Sequence, residues 1–191
     1  MQHNMTKVIQ KTVYDSTSTL EELIAGCVQQ NRMAQKYLYK RFYSGMFGVA
    51  MRYTRDREEA QEVLNNAFIK VFKSIGSYRP TGSFPAWIKK IVIHTSIDYI
   101  RKYARFKGNA PLGYAANVAL PNDIIARLSA EEIYTCIQKL SPTSKTVFSM
   151  HALDGFKHRE IAEVLNISPN TSKWYLANAK AALQKIINLN K

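Results

Sequence analysis

Cysteine is nearly absent: Cys27 and Cys136 are the two in 191 residues. That excludes a disulfide scaffold and any zinc centre that needs three or four thiolates. Glycine and proline are also scarce, at eight and six. This excludes a turn-rich β sandwich or a collagen-like chain and leaves room for long helices. No apolar run approaches the roughly 20 residues that span a bilayer. The start, Met1 to Asp15, lacks the apolar stretch of a secretory signal. A soluble, reduced, cytoplasmic protein without stable membrane insertion is the expectation. Acids are scarce as well, with 14 Asp and Glu against 27 Lys and Arg, a formal charge of +13. A surplus of that size calls for a polyanionic partner, either nucleic acid or an anionic membrane surface.

What is present is unevenly spread. Residues 70–107 hold nine Lys or Arg and one acid, Asp98, so more than half of the surplus lies in one short stretch. A concentrated charge of this kind marks a docking face, where an even one would serve solubility.

Periodicity predicts helices throughout. Ser18 to Glu21 and Thr19 to Glu22 are overlapping capping boxes that start a helix reaching about Gln30. A second spans about 32–54, with Leu38, Phe42, Met46, Val49 and Tyr53 on one side. Asp56 caps a third over about 57–75, whose first turn carries acids where the helix dipole favours them. A fourth runs over about 83–106. Residues 108–122, with Pro111, Gly113 and Pro121, hold no period and read as a flexible linker. Further helices follow at about 123–139, 142–153, 158–165 and 169–188. The expectation is all-α, with two small helical domains at 18–107 and 123–191 and a flexible tail at 1–17.

The stretch from His158 to Leu176 has the layout of a helix-turn-helix. Ala162 is small where two helices would cross, and Asn166 tolerates the left-handed turn. Ser168 and Pro169 form an N-cap and first-turn pair. Asn170, Thr171, Lys173, Tyr175 and Asn178 form an exposed face able to reach base edges or phosphates. An amphipathic hairpin with no DNA role shares this pattern, and Ser172 stands where an apolar residue is more usual. In the fourth helix Lys90, His94, Asp98, Arg101 and Arg105 form one polar stripe, with Asp98 placed to orient Arg101 and Lys102. Tyr78, Phe84, Trp87, Tyr99, Tyr103 and Phe106 lie beside it. A basic groove with aromatic faces suits unpaired bases, although Phe84 is better read as core.

With these motifs together, the chain resembles a bacterial RNA polymerase sigma factor of the sigma-70 superfamily, in its extracytoplasmic-function (ECF) class. Asp56 to Phe72 is similar to the segment that binds the polymerase clamp helices of the beta-prime subunit. Phe84 to Arg101 is similar to the segment that melts and reads the −10 element. Leu140-Ser-Pro, Glu160 to Leu165 and Asn170 to Lys173 are similar to the domain that reads the −35 element. The resemblance implies that 18–107 is a region 2-like domain and 123–191 a region 4-like domain. It implies that Glu59, Glu62, Asn65, Phe68 and Ile69 face core polymerase. Trp87, Lys90, His94, Asp98, Arg101 and Arg105 would lie at the −10 DNA, and Asn170, Thr171, Ser172, Lys173 and Tyr175 at the −35 duplex. The chain departs from the family at His94, where Asn is usual, at Glu62 and Asn65, where Asp and Gln are usual, and at Lys180, where Arg is usual. Promoter DNA and a possible anti-sigma factor are the other implied partners.

The resemblance implies no chemistry of the chain's own, no cofactor and no metal. No P-loop, HExxH, GxSxG or GxGxxG spacing is present. A polymerase-independent helix-turn-helix regulator is the alternative. A nucleic-acid-cleaving enzyme is a third reading, for which the carboxylate cluster is missing.

Overall fold

Apolar residues three and four apart give the chain eight α-helices among the residues that the computed structural model describes, 13–79, 82–104 and 130–189. They are α1 (Leu20–Val28), α2 (Arg32–Met51), α3 (Arg57–Ser74), α4 (Phe84–Ala104), α5 (Ala130–Gln138), α6 (Pro142–Phe148), α7 (His158–Leu165) and α8 (Pro169–Leu189). The expected all-α fold class holds. The expected linker at 108–122, Arg105, Tyr103's side chain and residues 123–129 lie outside the described part. No described helix is long and apolar enough to cross a membrane.

The caps explain where the helices start. Of the two overlapping capping boxes at the head of α1, the chain uses the second: the Thr19 hydroxyl accepts from the Glu22 N–H and the Glu22 carboxylate from the Thr19 N–H. Ser18 is drawn into the preceding turn, where its hydroxyl accepts from the Asp15 N–H at 3.0 Å. Asp56 caps α3 by accepting from Glu59 N–H at 2.9 Å. Two boundaries differ from expectation. Helix α2 ends at Met51, because Arg52 and Tyr53 tighten the last turn with bonds to Val49 and Ala50 carbonyls three residues back. Helix α6 widens after Phe148 into a π-helical turn, Ser149–Leu153.

Helices α1 to α4 pack together around Leu23, Leu38, Tyr53, Leu64, Phe68, Ile88 and Ile97. Helices α5 to α8 pack around Ile137, Phe148, Met150, Ile161 and Leu183. The tail expected over 1–17 stops short of its assigned end. Tyr14 is buried against Gly26 of α1, in a space that only a residue without a side chain leaves open. A Cβ at Gly26 would come within 2.5 Å of the Tyr14 ring and 2.6 Å of the Ala34 Cβ.

Gly26→Ala therefore overpacks the α1–α2 contact, and a loss of about 1–3 kcal/mol is expected. Urea unfolding should show a lower midpoint with an unchanged slope. A midpoint at or above wild type would mean that Tyr14 does not pack there in solution.

Candidate nucleic-acid interface

Helix α4 is two-faced because its apolar residues have two neighbours to meet. Phe84, Ile88, Val92, Ile93 and Ile97 are buried against α2 and α3, with Thr95 and Ser96 beside them. Lys90, His94, Asp98 and Arg101 are all exposed on the remaining side. The polar stripe read from the sequence is thus one continuous solvent face in the described residues. Asp98 does not orient Arg101 or Lys102 as expected: its carboxylate accepts from Lys70 of α3 at 3.1 Å. Both partners are at least half exposed, so this pair contributes little stability.

An aromatic cluster closes the N-terminal end of that face. Trp87 lies 5.4 Å from Phe84 and 5.3 Å from Tyr78, centroid to centroid, and Tyr78 meets Phe84 edge-on at 4.9 Å. Phe84 is core, as the sequence favoured, and Phe42 of α2 packs behind it. Trp87 is half-buried and keeps part of its ring in solvent. The Tyr78 hydroxyl donates to the Gly82 carbonyl at 2.8 Å and tethers the loop that leads into α4.

On α3 the expected polymerase-facing residues separate into two sets. Glu62, Asn65 and Ile69 are exposed, and Ile69 at 52% is one of few large apolar side chains so exposed among the described residues. The other two face elsewhere. Phe68 is 2% exposed and belongs to the core, edge-on to Tyr39 at 4.6 Å. Glu59 is buried and its carboxylate is taken by the Arg55 guanidinium and backbone N–H. The reason is the same for both: they sit on the side of α3 that turns toward α2 and the α2–α3 turn. Asn65 also accepts from the Tyr39 hydroxyl (3.0 Å) and from Gln61 (2.9 Å), while Tyr43 donates to Gln61 at 2.7 Å. That network fixes the exposed row of α3 on α2.

The helix-turn-helix is built as its residues foretell. Asn166 has φ 53° and ψ 49°, the left-handed conformation required at the turn. The Ser168 hydroxyl accepts from Thr171 N–H at 3.0 Å and caps α8. Asn170 and Lys173 are exposed, and Thr171 and Tyr175 are half-buried. Ser172 is a correction. It is fully buried, and its hydroxyl shares a 2.9 Å hydrogen bond with His158 Nδ1 at the start of α7. A small hydroxyl paired with a histidine thus stands where an apolar residue is more usual, and it faces α7 instead of solvent. His158 in turn stacks on His151, with ring centroids 4.3 Å apart. Nothing in the spacing of the two histidines foretells this pair, since they are joined only through the turn that ends α6. Burial first, then Coulomb repulsion from His151, Lys173 and Lys180 nearby, holds the His158 pKa below its ordinary 6.5.

A basic, aromatic-flanked helix in one part and a helix-turn-helix in the other are features that suit nucleic-acid binding. Comparison with known proteins gives the chain's kind. Residues 38–106 match the model of sigma-70 region 2, and residues 130–183 that of sigma-70 region 4. The ECF sigma factor SigW of Bacillus subtilis is 31% identical over 139 residues, covering 66% of this chain and 74% of the relative. The sigma-H factor of Pseudomonas aeruginosa is 22% identical over 182 residues, covering 87% and 93%. Among solved structures, the sigma factor RpoE of Bartonella quintana, in complex with the anti-sigma factor NepR, aligns with TM-score 0.52 at 16% identity. It covers 82% of this chain and 98% of that one, and shows the shared fold. The chain belongs to the sigma-70 family, in the ECF class of RNA polymerase sigma factors.

The lowered pKa of His158 has a consequence for stability. The unfolded chain takes up this proton before the folded one does, so the contribution is intact above about pH 6.5 and declines as pH falls below it. The melting temperature should therefore drop between about pH 7.5 and about pH 5.5, the range in which histidines titrate. His158→Gln should flatten that drop. An equal slope in the variant would contradict the burial of the imidazole.

Proposed function

We propose that the protein binds core RNA polymerase through the exposed row of α3 and carries it to promoters whose two elements its two halves read. In this reading residues 18–107 form the polymerase and −10 domain, 123–191 the −35 domain, and 108–122 the linker. The observation that carries it is the solvent face of α4, where Lys90, His94 and Arg101 stand in line beyond the Tyr78–Phe84–Trp87 cluster. Cations track a backbone and aromatic rings receive unstacked bases, which is what capture of a separated −10 strand needs. Trp87, Lys90, His94, Asp98 and Arg101 are the proposed −10 contacts, with Arg105 beyond the described end of α4.

Asn170, Thr171, Lys173 and Tyr175 are the proposed −35 contacts, leaving out the buried Ser172. Lys173 supplies charge to phosphate, and Asn170, in the first turn of α8, is placed for a base edge. Glu62, Asn65 and Ile69 are the proposed polymerase contacts, with Glu59 and Phe68 supporting the helix from behind. The acids of α3 and the cations of α4 separate a protein-facing from a DNA-facing surface. Bond-making belongs to the polymerase, and the sigma factor positions DNA and holds separated bases. It works where the polymerase does, in the cytoplasm, and an anti-sigma factor is a further expected partner.

The test is transcription from genomic fragments with the purified protein and core polymerase from its own source. Defined transcripts that require both components are expected. Asn170→Ala should weaken promoter use by about 1–3 kcal/mol, the worth of a good base contact, without loss of core binding. Sequence-specific shifts of duplex DNA by the protein alone, with no core-dependent transcript, would instead establish a polymerase-independent regulator.

A further inference from the structure

The helix-turn-helix is joined at one point by a polar set that can gain a proton. Ser172 is sealed from solvent on the inner side of α8, and its hydroxyl shares the 2.9 Å hydrogen bond with His158 Nδ1. His158 opens α7, and its ring lies nearly parallel to that of His151, at 16° and 4.3 Å between centroids. His151 belongs to the π-helical turn that follows α6. Its Nδ1 lies 2.9 Å from the Phe156 carbonyl, which can only accept, so Nδ1 carries a proton of that ring. The π-helical turn, α7 and α8 thus meet through two imidazoles and one hydroxyl.

The surroundings resist a charge on His158. Beyond its burial, the charged groups that bear on the ring are His151 on the turn and Lys173 and Lys180 on α8, and each disfavours a positive imidazole. On α7 itself Arg159 is exposed, and the Glu160 carboxylate accepts from the Lys157 N–H at 2.7 Å. The ring also stands in the first turn of α7, where the helix dipole favours anions over cations. His158 is half-buried, so a protonated ring has a way out by rotating toward solvent. Ser172 has none. Without its partner it is a buried hydroxyl left unpaired, a cost that a shift of α8 on α7 relieves. Lys173, its exposed neighbour, moves with it.

We propose that the His151–His158–Ser172 set is a proton-sensitive seat for α8. With both rings neutral it holds α8 at the angle from which Asn170 and Lys173 reach a duplex. With a proton on either ring α8 leaves that angle, and the preference for one DNA sequence over another is lost while the helices persist. His158 is thus a positioning residue, which touches no DNA and acts through Ser172. An apolar residue at position 172, the more usual kind there, would pack against α7 without any such dependence on pH. The part of this inference that concerns DNA rests on the proposed −35 role of α8. The coupling of the two rings does not.

Two measurements on the full chain separate these points. The first follows the histidine ring protons by NMR as pH is varied, with His151→Phe and His158→Gln to assign the two signals. In His151→Phe a ring that cannot take a charge remains stacked, so the His158 midpoint should rise. An unchanged midpoint would overturn the coupling of the rings. The second is filter binding of holoenzyme, assembled with core polymerase from the same source. Its targets are a radiolabelled promoter fragment and the same fragment with a scrambled −35 element. The ratio of the two affinities cancels what the polymerase and the −10 element contribute. In wild type that ratio should fall several-fold between about pH 7.5 and about pH 5.5. It should stay level in His158→Gln, whose neutral amide can bond Ser172 at any pH, and in Ser172→Val, which needs no partner. Circular dichroism should show the three proteins equally helical over the range. A level ratio in wild type, or an equal fall in both variants, would overturn the seat. So would a ratio that rises at low pH, the sign expected if a charged His158 simply attracted phosphate. A ratio of one at every pH would count against the −35 role of α8, and the DNA part of the inference would fall with it. The NMR titration judges the rings independently of that outcome.

Discussion

Helix α4 has more apolar residues than one neighbour can cover, and the rest of the candidate interface follows from how they are buried. Phe84, Ile88, Val92, Ile93 and Ile97 take up the sides that meet α2 and α3. Lys90, His94, Asp98 and Arg101 are left in one row facing water. Their alignment needs no specific polar contact, since a helix whose apolar residues are sealed has only one orientation available. A substitution in that buried set would therefore turn or loosen the cations without touching them. Residues such as Ile93 bear on function through packing, and Lys90 through charge.

The row of α3 depends on the same logic with different chemistry. Its inner side is sealed by Val63, Leu64, Ala67 and Phe68, and polar bonds from Tyr39 and Tyr43 to Gln61 and Asn65 then fix its rotation against α2. Ile69 stays outside this arrangement and remains exposed. In the proposed reading this exposed isoleucine, set between Asn65, Asn66 and Lys70, is one contact offered to the polymerase.

Local signals made most of this legible. The Thr19–Glu22 box, the Asp56 cap, the left-handed Asn166 and the Ser168–Pro169 start each act within a few residues, and each was readable from spacing alone. Sidedness was harder. Glu59 and Phe68 lie in a motif whose other members are exposed, and only the packing of α3 on α2 shows that they turn inward. Ser172 reads as an imperfection in α8 because its partner His158 lies fourteen residues away and a histidine–serine bond has no spacing rule. The bonds from Arg52 and the Tyr53 hydroxyl to Asp154 were beyond reach of the sequence. Arg52 and Asp154 are separated by 102 positions, and nothing in an Asp-Gly turn at the end of a helix foretells a buried ion pair.

Contact between the exposed side of α4 and the −10 DNA is the interaction on which the proposed function depends. A photo-crosslinking amino acid placed at position 94, in a complex of the full chain with core polymerase and a promoter obtained by transcription mapping, tests it most directly. A crosslink to promoter DNA within the −10 element is expected, lost when the same group is placed at the buried position 93. Crosslinks from position 94 to polymerase alone, or to DNA outside that element, would contradict it.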